Sequence, residues 1–250
     1  MHISLIRRAS AVLALSCGLA QAGEVTISAA SSLTNVFQDI ARSYETEYVD
    51  ARVMLNFGGS GGLLQQIAKG APVDVFASAD QETMDIAAMQ NLLAADTRQD
   101  FARNTLVLIV PSDSPIRLGQ LADLQQSSVE RVAMGNPASV PAGRYSRQAL
   151  TAANLWNNVQ DKVINTQSVR QSLDYVARGE VAAALVYATD ARLMKDKVKI
   201  AFTVPLETDI SYPIAQVRDS ANSDEAKRFI NYLQSPVGQD ILARHGFLKP

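Results

Sequence analysis

Short apolar runs alternate along this chain with segments whose apolar residues recur at helical spacing. With only short links between the pieces, that alternation restricts the fold to mostly parallel sheets flanked by helices. Val25-Thr26-Ile27-Ser28 reads as a strand, and Leu33, Val36, Phe37, Ile40, Ala41 and Tyr44 then make one apolar face of a 3.6-residue period. Residues 53–57 are a second strand, followed by Gly58-Gly59-Ser60-Gly61-Gly62 and a helix carrying Leu63, Leu64 and Ile67. Residues 73–77 form a third strand and 80–90 another helix. Residues 105–110, ending at Pro111, have the continuous β-branched and leucine character of a strand buried on both faces. The pattern then restarts, with strands at 131–134, 182–187, 198–204 and 212–217 and helices at 142–153, 168–178, 222–234 and 236–243. No low-complexity linker separates the two halves, so the expected architecture is two α/β lobes joined by extended crossovers.

Residues 1–22 differ from the rest. Arg7-Arg8, an apolar run over 11–20 and the small-residue site Ala20-Gln21-Ala22 predict a secretory signal peptide cleaved at Ala22-Gly23. Leu15-Ser16-Cys17 offers a competing lipoprotein reading, with Cys17 as the lipidated residue. Beyond this segment no apolar stretch approaches the roughly 20 residues of a membrane helix. The expected product is a soluble protein exported to a periplasm. Cys17 is the single cysteine, which excludes a disulfide framework and a Cys-ligated zinc site. A net charge of -2 carries no basic surplus for tracking nucleic acid.

In open α/β sheets ligands bind beyond the carboxyl ends of strands, where helices begin. Four such loops stand out, and none holds a charged group before its helix: Ala29-Ala30-Ser31-Ser32-Leu33, Phe57-Gly58-Gly59-Ser60-Gly61-Gly62, Val140-Pro141-Ala142-Gly143 and Ser168-Val169-Arg170-Gln171. The last has the Ser-x-x-Gln spacing of a capping box. Helix N-termini present free N–H groups and the positive end of a dipole, and the glycines around Ser60 permit close backbone approach. Four of them converging from two lobes would make a nest of neutral donors for a small oxyanion. Arg144 and Arg170, each just inside such a loop, either steer or contact an anion or are simply solvated.

Gly58-Gly59-Ser60-Gly61-Gly62 also matches the G-x-S-x-G nucleophile elbow, and Asp190 and His245 follow in hydrolase order. No HGGG-type oxyanion loop accompanies it, and His245 reads more simply as a solvated or locally capped residue. Phosphate-loop, dinucleotide and HExxH zinc motifs are missing. Trp156 reads as core packing, and Asp224-Glu225 as a helix first turn favoured by the dipole.

Taken together and in order, these segments resemble the periplasmic molybdate-binding protein family of ABC importers. The most specific pieces are Ala30-Ser31-Ser32-Leu33-Thr34-Asn35, the segment from Gly70-Ala71-Pro72 to Ser78-Ala79-Asp80, Val140-Pro141-Ala142-Gly143, Val186-Tyr187 and Arg244-His245-Gly246-Phe247. The resemblance implies a two-lobed, type II binding-protein fold with the ligand cleft between lobes. Lobe 1 would comprise residues 23–103 and 212–250, and lobe 2 residues 104–211. It also implies a ligand shell for molybdate or tungstate: hydroxyl and backbone N–H from Ser32 and Ser60, backbone N–H from Ala142 and Val169, and the Tyr187 hydroxyl. Without the family, Tyr187 would pass as a core tyrosine at a strand end. The resemblance further implies no catalysis, no cofactor, no metal ligated by side chains, and a monomer that serves a membrane permease. One departure is the glycine-rich run 58–62, where relatives often carry more serines. The remaining alternative is a receptor of the same fold for sulfate, phosphate or an organic anion.

Overall fold

The computed structural model describes residues 23–250. The signal-peptide and Cys17 readings lie outside the described residues. In chain order the elements are β1 (Gly23–Ala30), a 3-10 turn (Ser31–Leu33) running into α1 (Thr34–Glu47), β2 (Ala51–Gly58), α2 (Ser60–Ala68), β3 (Val75–Ala77), α3 (Gln81–Met89), β4 (Gln99–Asn104) and β5 (Leu106–Pro111). There follow β6 (Val132–Gly135), α4 (Pro141–Ala152), α5 (Trp156–Val159), β7 (Val163–Thr166), α6 (Val169–Ala177), β8 (Ala183–Tyr187) and α7 (Ala188–Leu193). The chain continues through β9 (Val198–Thr203), β10 (Ile210–Gln216), α8 (Ser223–Gln234) and α9 (Pro236–Arg244). No helix of the described residues is long and apolar enough to cross a membrane.

The strands make two five-stranded sheets of the same design, ordered β2-β1-β3-β10-β4 and β7-β6-β8-β5-β9. In the first, β1 pairs parallel with β2 and β3, while β10 is antiparallel to both β3 and β4. In the second, β6 pairs parallel with β7 and β8, while β5 is antiparallel to both β8 and β9. The reversed strand is in each case the first one after the chain crosses from the other sheet. Its direction follows from that route. Parallel strands end at the cleft between the lobes, so a chain arriving from the cleft has to run away from it. The crossings are the short link between β4 and β5 and the longer one between β9 and β10.

Central strands carry the long apolar runs. All five residues of β8 are buried, as are the first five of β5. Side chains alternate across the first sheet: Val75 and Ala77 face a large core with Phe37, Tyr44 and Phe229, while Phe76 joins Leu63, Leu64, Ile67 and Met84 beneath α2 and α3. Helix α1 buries Val36, Phe37, Ile40, Ala41 and Tyr44, the stripe that its period predicts.

The sequence pattern does not reveal β4 and β7. Both are edge strands with polar or exposed residues, among them Gln99, Asp100 and Asn165. Trp156 does not sink fully into the core. It is half-buried at the start of α5, with the Arg147 guanidinium 5.2 Å from its ring centre.

Candidate functional site

Six strands, β1, β2, β3, β6, β7 and β8, end at the cleft and turn into helices there, α1, α2, α3, α4, α6 and α7. Around one small cavity the structure gathers Ala30, Ser31, Ser32, Gly58, Gly59, Ser60, Ala79, Val140, Pro141, Ala142, Val169 and Tyr187. All five residues expected to form a ligand shell are in that lining. Ser32, Ser60 and Ala79 come from the side of the first sheet; Ala142, Val169 and Tyr187 come from the second. Each of the five is at most 3% exposed, while Gly58 and Gly59, also in the lining, are half-buried. The cavity has about 10 Å³ of room for the centre of a water-sized sphere, against roughly 300–1,000 Å³ for sites that take drug-sized ligands. No charged side chain lines it.

The polarity of the lining follows from its hydrogen bonds. The first turn of a helix leaves N–H groups without intrahelical acceptors. At the starts of α2 and α4 and of the turn before α1, no side chain caps these groups. At α6, Ser168 Oγ accepts from the Gln171 N–H at 3.3 Å. That is half of the expected capping box, because the Gln171 side chain turns instead to the Gln167 N–H at 2.8 Å. Ser60 Oγ accepts from the Ala79 N–H at 3.2 Å, which leaves the serine proton free to point elsewhere. Ser32 Oγ lies 3.2 Å from the Tyr212 hydroxyl. Tyr187 donates to the Ala79 carbonyl across a long 3.4 Å contact. Burial pushes the Tyr187 and Tyr212 phenols well above the ordinary tyrosine range, so both stay neutral donors.

Arg144 and Arg170 do not enter the cavity. Arg144, on α4, donates through Nε to Asp80 at 2.7 Å and through Nη2 to Thr83 on α3. Arg170, on α6, holds Asp190 at 2.6 Å and reaches across to Asn35 Oδ1 at 2.8 Å and the Ser32 carbonyl at 3.2 Å. The steering or contact role is therefore replaced by a bridging one: both guanidiniums tie the second sheet's helices to the first sheet's. Asp190 is fully buried, which raises its carboxyl despite the opposing pull of Arg170.

Gly58 and Gly59 line the cavity, and the glycines also serve a contact between the lobes. A Cβ on Gly61 would sit 2.9 Å from Ser139 Cα and O, and one on Gly59 would sit 2.8 Å from the Gln167 carbonyl. These glycines let the two lobes' backbones meet, and the Gly61 N–H donates to the Ser139 carbonyl at 2.9 Å.

A hydrolase triad is not assembled. Ser60 Oγ is engaged by Ala79, Asp190 by Arg170, and His245 Nε2 pairs with Asp39 at 2.7 Å, so the three share no hydrogen bond. Among the described residues no group of three or more His, Cys, Asp or Glu side chains is placed to hold a metal ion. Sequence reasoning missed Asp80, Asn104 and Tyr212. The signals for Asp80 were its place in the segment 70–80 that carries the resemblance and its position as helix N-cap, where it accepts from the Thr83 N–H.

The model of the family described as bacterial extracellular solute-binding protein matches residues 25–248. The molybdate-binding protein ModA of Escherichia coli is 36% identical over 237 residues, covering 92% of this chain and 90% of that one. The molybdate-binding protein ModA of Haemophilus influenzae is 31% identical over 249 residues, covering 98% of each. Among solved structures, the periplasmic molybdate-binding protein of Azotobacter vinelandii superposes with a TM-score of 0.79 at 22% identity, covering 90% of this chain and 99% of that one, a likeness of fold.

Proposed function

The chain belongs to the bacterial extracellular solute-binding protein family, and from that premise we propose that it captures molybdate, and tungstate with it, for delivery to an ABC importer's permease. The observation that carries this reading is the small cavity, lined by no charged side chain, on which helix N-termini from both lobes converge. Neutral donors suit a dianion that arrives without a counter-cation. Hydrogen bonds to a charged group are worth roughly 1.5–3 kcal/mol each, so half a dozen offset much of the dehydration of a small oxyanion. The cavity's size argues against an organic anion. The names of the E. coli and H. influenzae relatives favour molybdate.

In this reading Ser32 and Ser60 give hydroxyl and backbone N–H groups, Ala142 and Val169 give N–H groups, and Tyr187 turns its hydroxyl from the Ala79 carbonyl to the anion. The lobes, residues 23–103 with 212–250 and residues 104–211, close about the two crossings, and each brings part of the shell. The protein performs no chemistry on its ligand and works in the periplasm as a monomer. Sulfate carries the same charge and symmetry, so selection against it rests on distance. Donors fixed for longer metal–oxygen bonds leave polar groups unpaired around a smaller ion.

Thermal melts with molybdate, tungstate, sulfate and phosphate at about 1 mM test the reading, because a ligand of the folded state stabilises it by RT ln(1 + [L]/Kd). A rise of several degrees with molybdate and tungstate alone is expected. A flat response to all four overturns it, and a response to sulfate at least as large overturns the choice of anion.

A further inference from the structure

Ser32 Oγ is not free inside the cavity: it faces the hydroxyl of Tyr212, a residue 180 positions away on β10. Either hydroxyl could donate in that hydrogen bond, and the groups behind Tyr212 bear on which one does. Asn104, the last residue of β4, accepts the Thr105 N–H on its Oδ1 at 2.9 Å, which sets the amide so that Nδ2 is the donor. Asn104 Nδ2 donates to Thr189 Oγ1 at 2.9 Å and to the Tyr212 hydroxyl at 3.2 Å. With its oxygen accepting from Asn104, the Tyr212 phenol has Ser32 Oγ as the acceptor within reach of its one proton. The serine oxygen then has an incoming donor, and its own proton is left for the cavity.

The fold holds Tyr212 in that pose. The register of β10 on β4 shifts between Tyr212 and Pro213, an irregularity of the kind that re-aims a strand side chain. The ring is fully buried and clamped edge-on by Phe247 at 5.5 Å and Phe101 at 6.2 Å, with Tyr187 tilted against it at 5.8 Å. Buried chains of hydrogen bonds polarise one another, so a donor at the back strengthens the donor at the front.

Resting on the anion reading above, we propose that Tyr212, oriented by Asn104, is a positioning residue that makes Ser32 a fixed hydroxyl donor to the bound oxyanion. Tyr212 does not touch the ligand, and its whole effect on affinity passes through Ser32.

A double-mutant cycle tests this with the full mature chain and molybdate as titrant in a calorimeter. Tyr212→Phe keeps the ring and its packing, and should weaken molybdate binding about tenfold, the worth of one mis-set hydrogen bond. In the Ser32→Ala background the same change should cost nothing further. Tyr212→Phe also leaves one buried Asn104 Nδ2 proton without its acceptor, so its ligand-free melting temperature should fall somewhat, and positioning is separated from folding by the non-additivity of the affinities with Ser32→Ala. Wild-type affinity in Tyr212→Phe, or a full additional penalty on top of Ser32→Ala, overturns the assignment while leaving the anion reading intact. Failure of the wild type to bind molybdate or tungstate overturns the anion reading, and this assignment with it.

Discussion

Arg144 Nε lies 2.7 Å from the Asp80 carboxylate, and this ion pair spans the cleft from the second sheet's α4 to the first sheet's α3. The two side chains are only 11% and 4% exposed, so the pair is nearly dry. In the proposed hinge motion, an open cleft lets water solvate both charges. The pair therefore weighs on the closed state far more than on the fold. Truncating one partner of a buried, hydrogen-bonded charge pair costs about 2–5 kcal/mol and acts mainly on dissociation. Arg144→Ala should weaken molybdate binding at least tenfold, chiefly through a faster off-rate in stopped flow, with the ligand-free melting temperature little changed. A slower on-rate with an unchanged off-rate would mean that Arg144 steers the anion instead.

Gly61 separates closure from folding even more sharply. Its missing Cβ would strike Ser139 backbone atoms at 2.9 Å, and backbone cannot yield as a flexible side chain does. Yet Gly61 is the second residue of α2, where alanine is the better helix former by up to about 1 kcal/mol. Gly61→Ala should thus leave the ligand-free protein as stable or slightly more stable, while lowering molybdate affinity by tenfold or more. Melting with and without molybdate reads both effects from one sample. Equal ligand shifts in wild type and Gly61→Ala would show that the lobes never approach so closely.

Tyr187 and Ser60 should respond differently to loss of a hydroxyl. The Tyr187 phenol has a single long contact, 3.4 Å to the Ala79 carbonyl, so Tyr187→Phe sacrifices little in the ligand-free protein. Ser60→Ala strips the acceptor from the buried Ala79 N–H, and an orphaned buried donor costs about 1–3 kcal/mol. Both substitutions should reduce molybdate affinity roughly tenfold or more, but only Ser60→Ala should also lower the ligand-free melting temperature. If Tyr187→Phe destabilises the ligand-free protein and leaves affinity intact, the tyrosine belongs to the core alone.

The central strands were legible because burial on both faces forces continuous apolar runs, as in 106–110 and 183–187. Edge strands escape that pressure, and β4 and β7 accordingly carry Gln99, Asp100 and Asn165 and look like loops. The neutral helix openings at Ser32, Ser60, Ala142 and Val169 were legible from their place after strands. Tyr187 came only through the resemblance, since a buried tyrosine at a strand end has the same local pattern whether it packs or binds. Partners far apart in the chain were not legible at all. Asp80 and Arg144 stand 64 residues apart, and Ser32 and Tyr212 stand 180 apart; no periodicity reports on such pairs. The glycines of 59–61 were visible, but their purpose was not, because the atoms they make room for belong to the other lobe.

The buried phenols set a pH signature that the anion site should share. Tyr187 and Tyr212 are held well above the ordinary tyrosine value, by burial first of all, and Tyr145 is raised for the same leading reason. In the unfolded chain each would ionise near pH 10. Below that value both states keep the proton and pH has no hold on stability through these groups. Above it the unfolded chain sheds protons that the folded protein retains, so stability falls as pH rises, by about 1.4 kcal/mol per pH unit for each such phenol. Unfolding by urea should therefore show a flat dependence through neutrality from these tyrosines and a steep loss of stability above pH 10, and Tyr187→Phe should shallow that slope by one group. Because Tyr187 and Tyr212 stay neutral in the fold, molybdate affinity should be constant between about pH 7 and 9, well below the range in which either would ionise. An affinity that declines across that interval would overturn the reading of Tyr187 as a neutral donor to the anion.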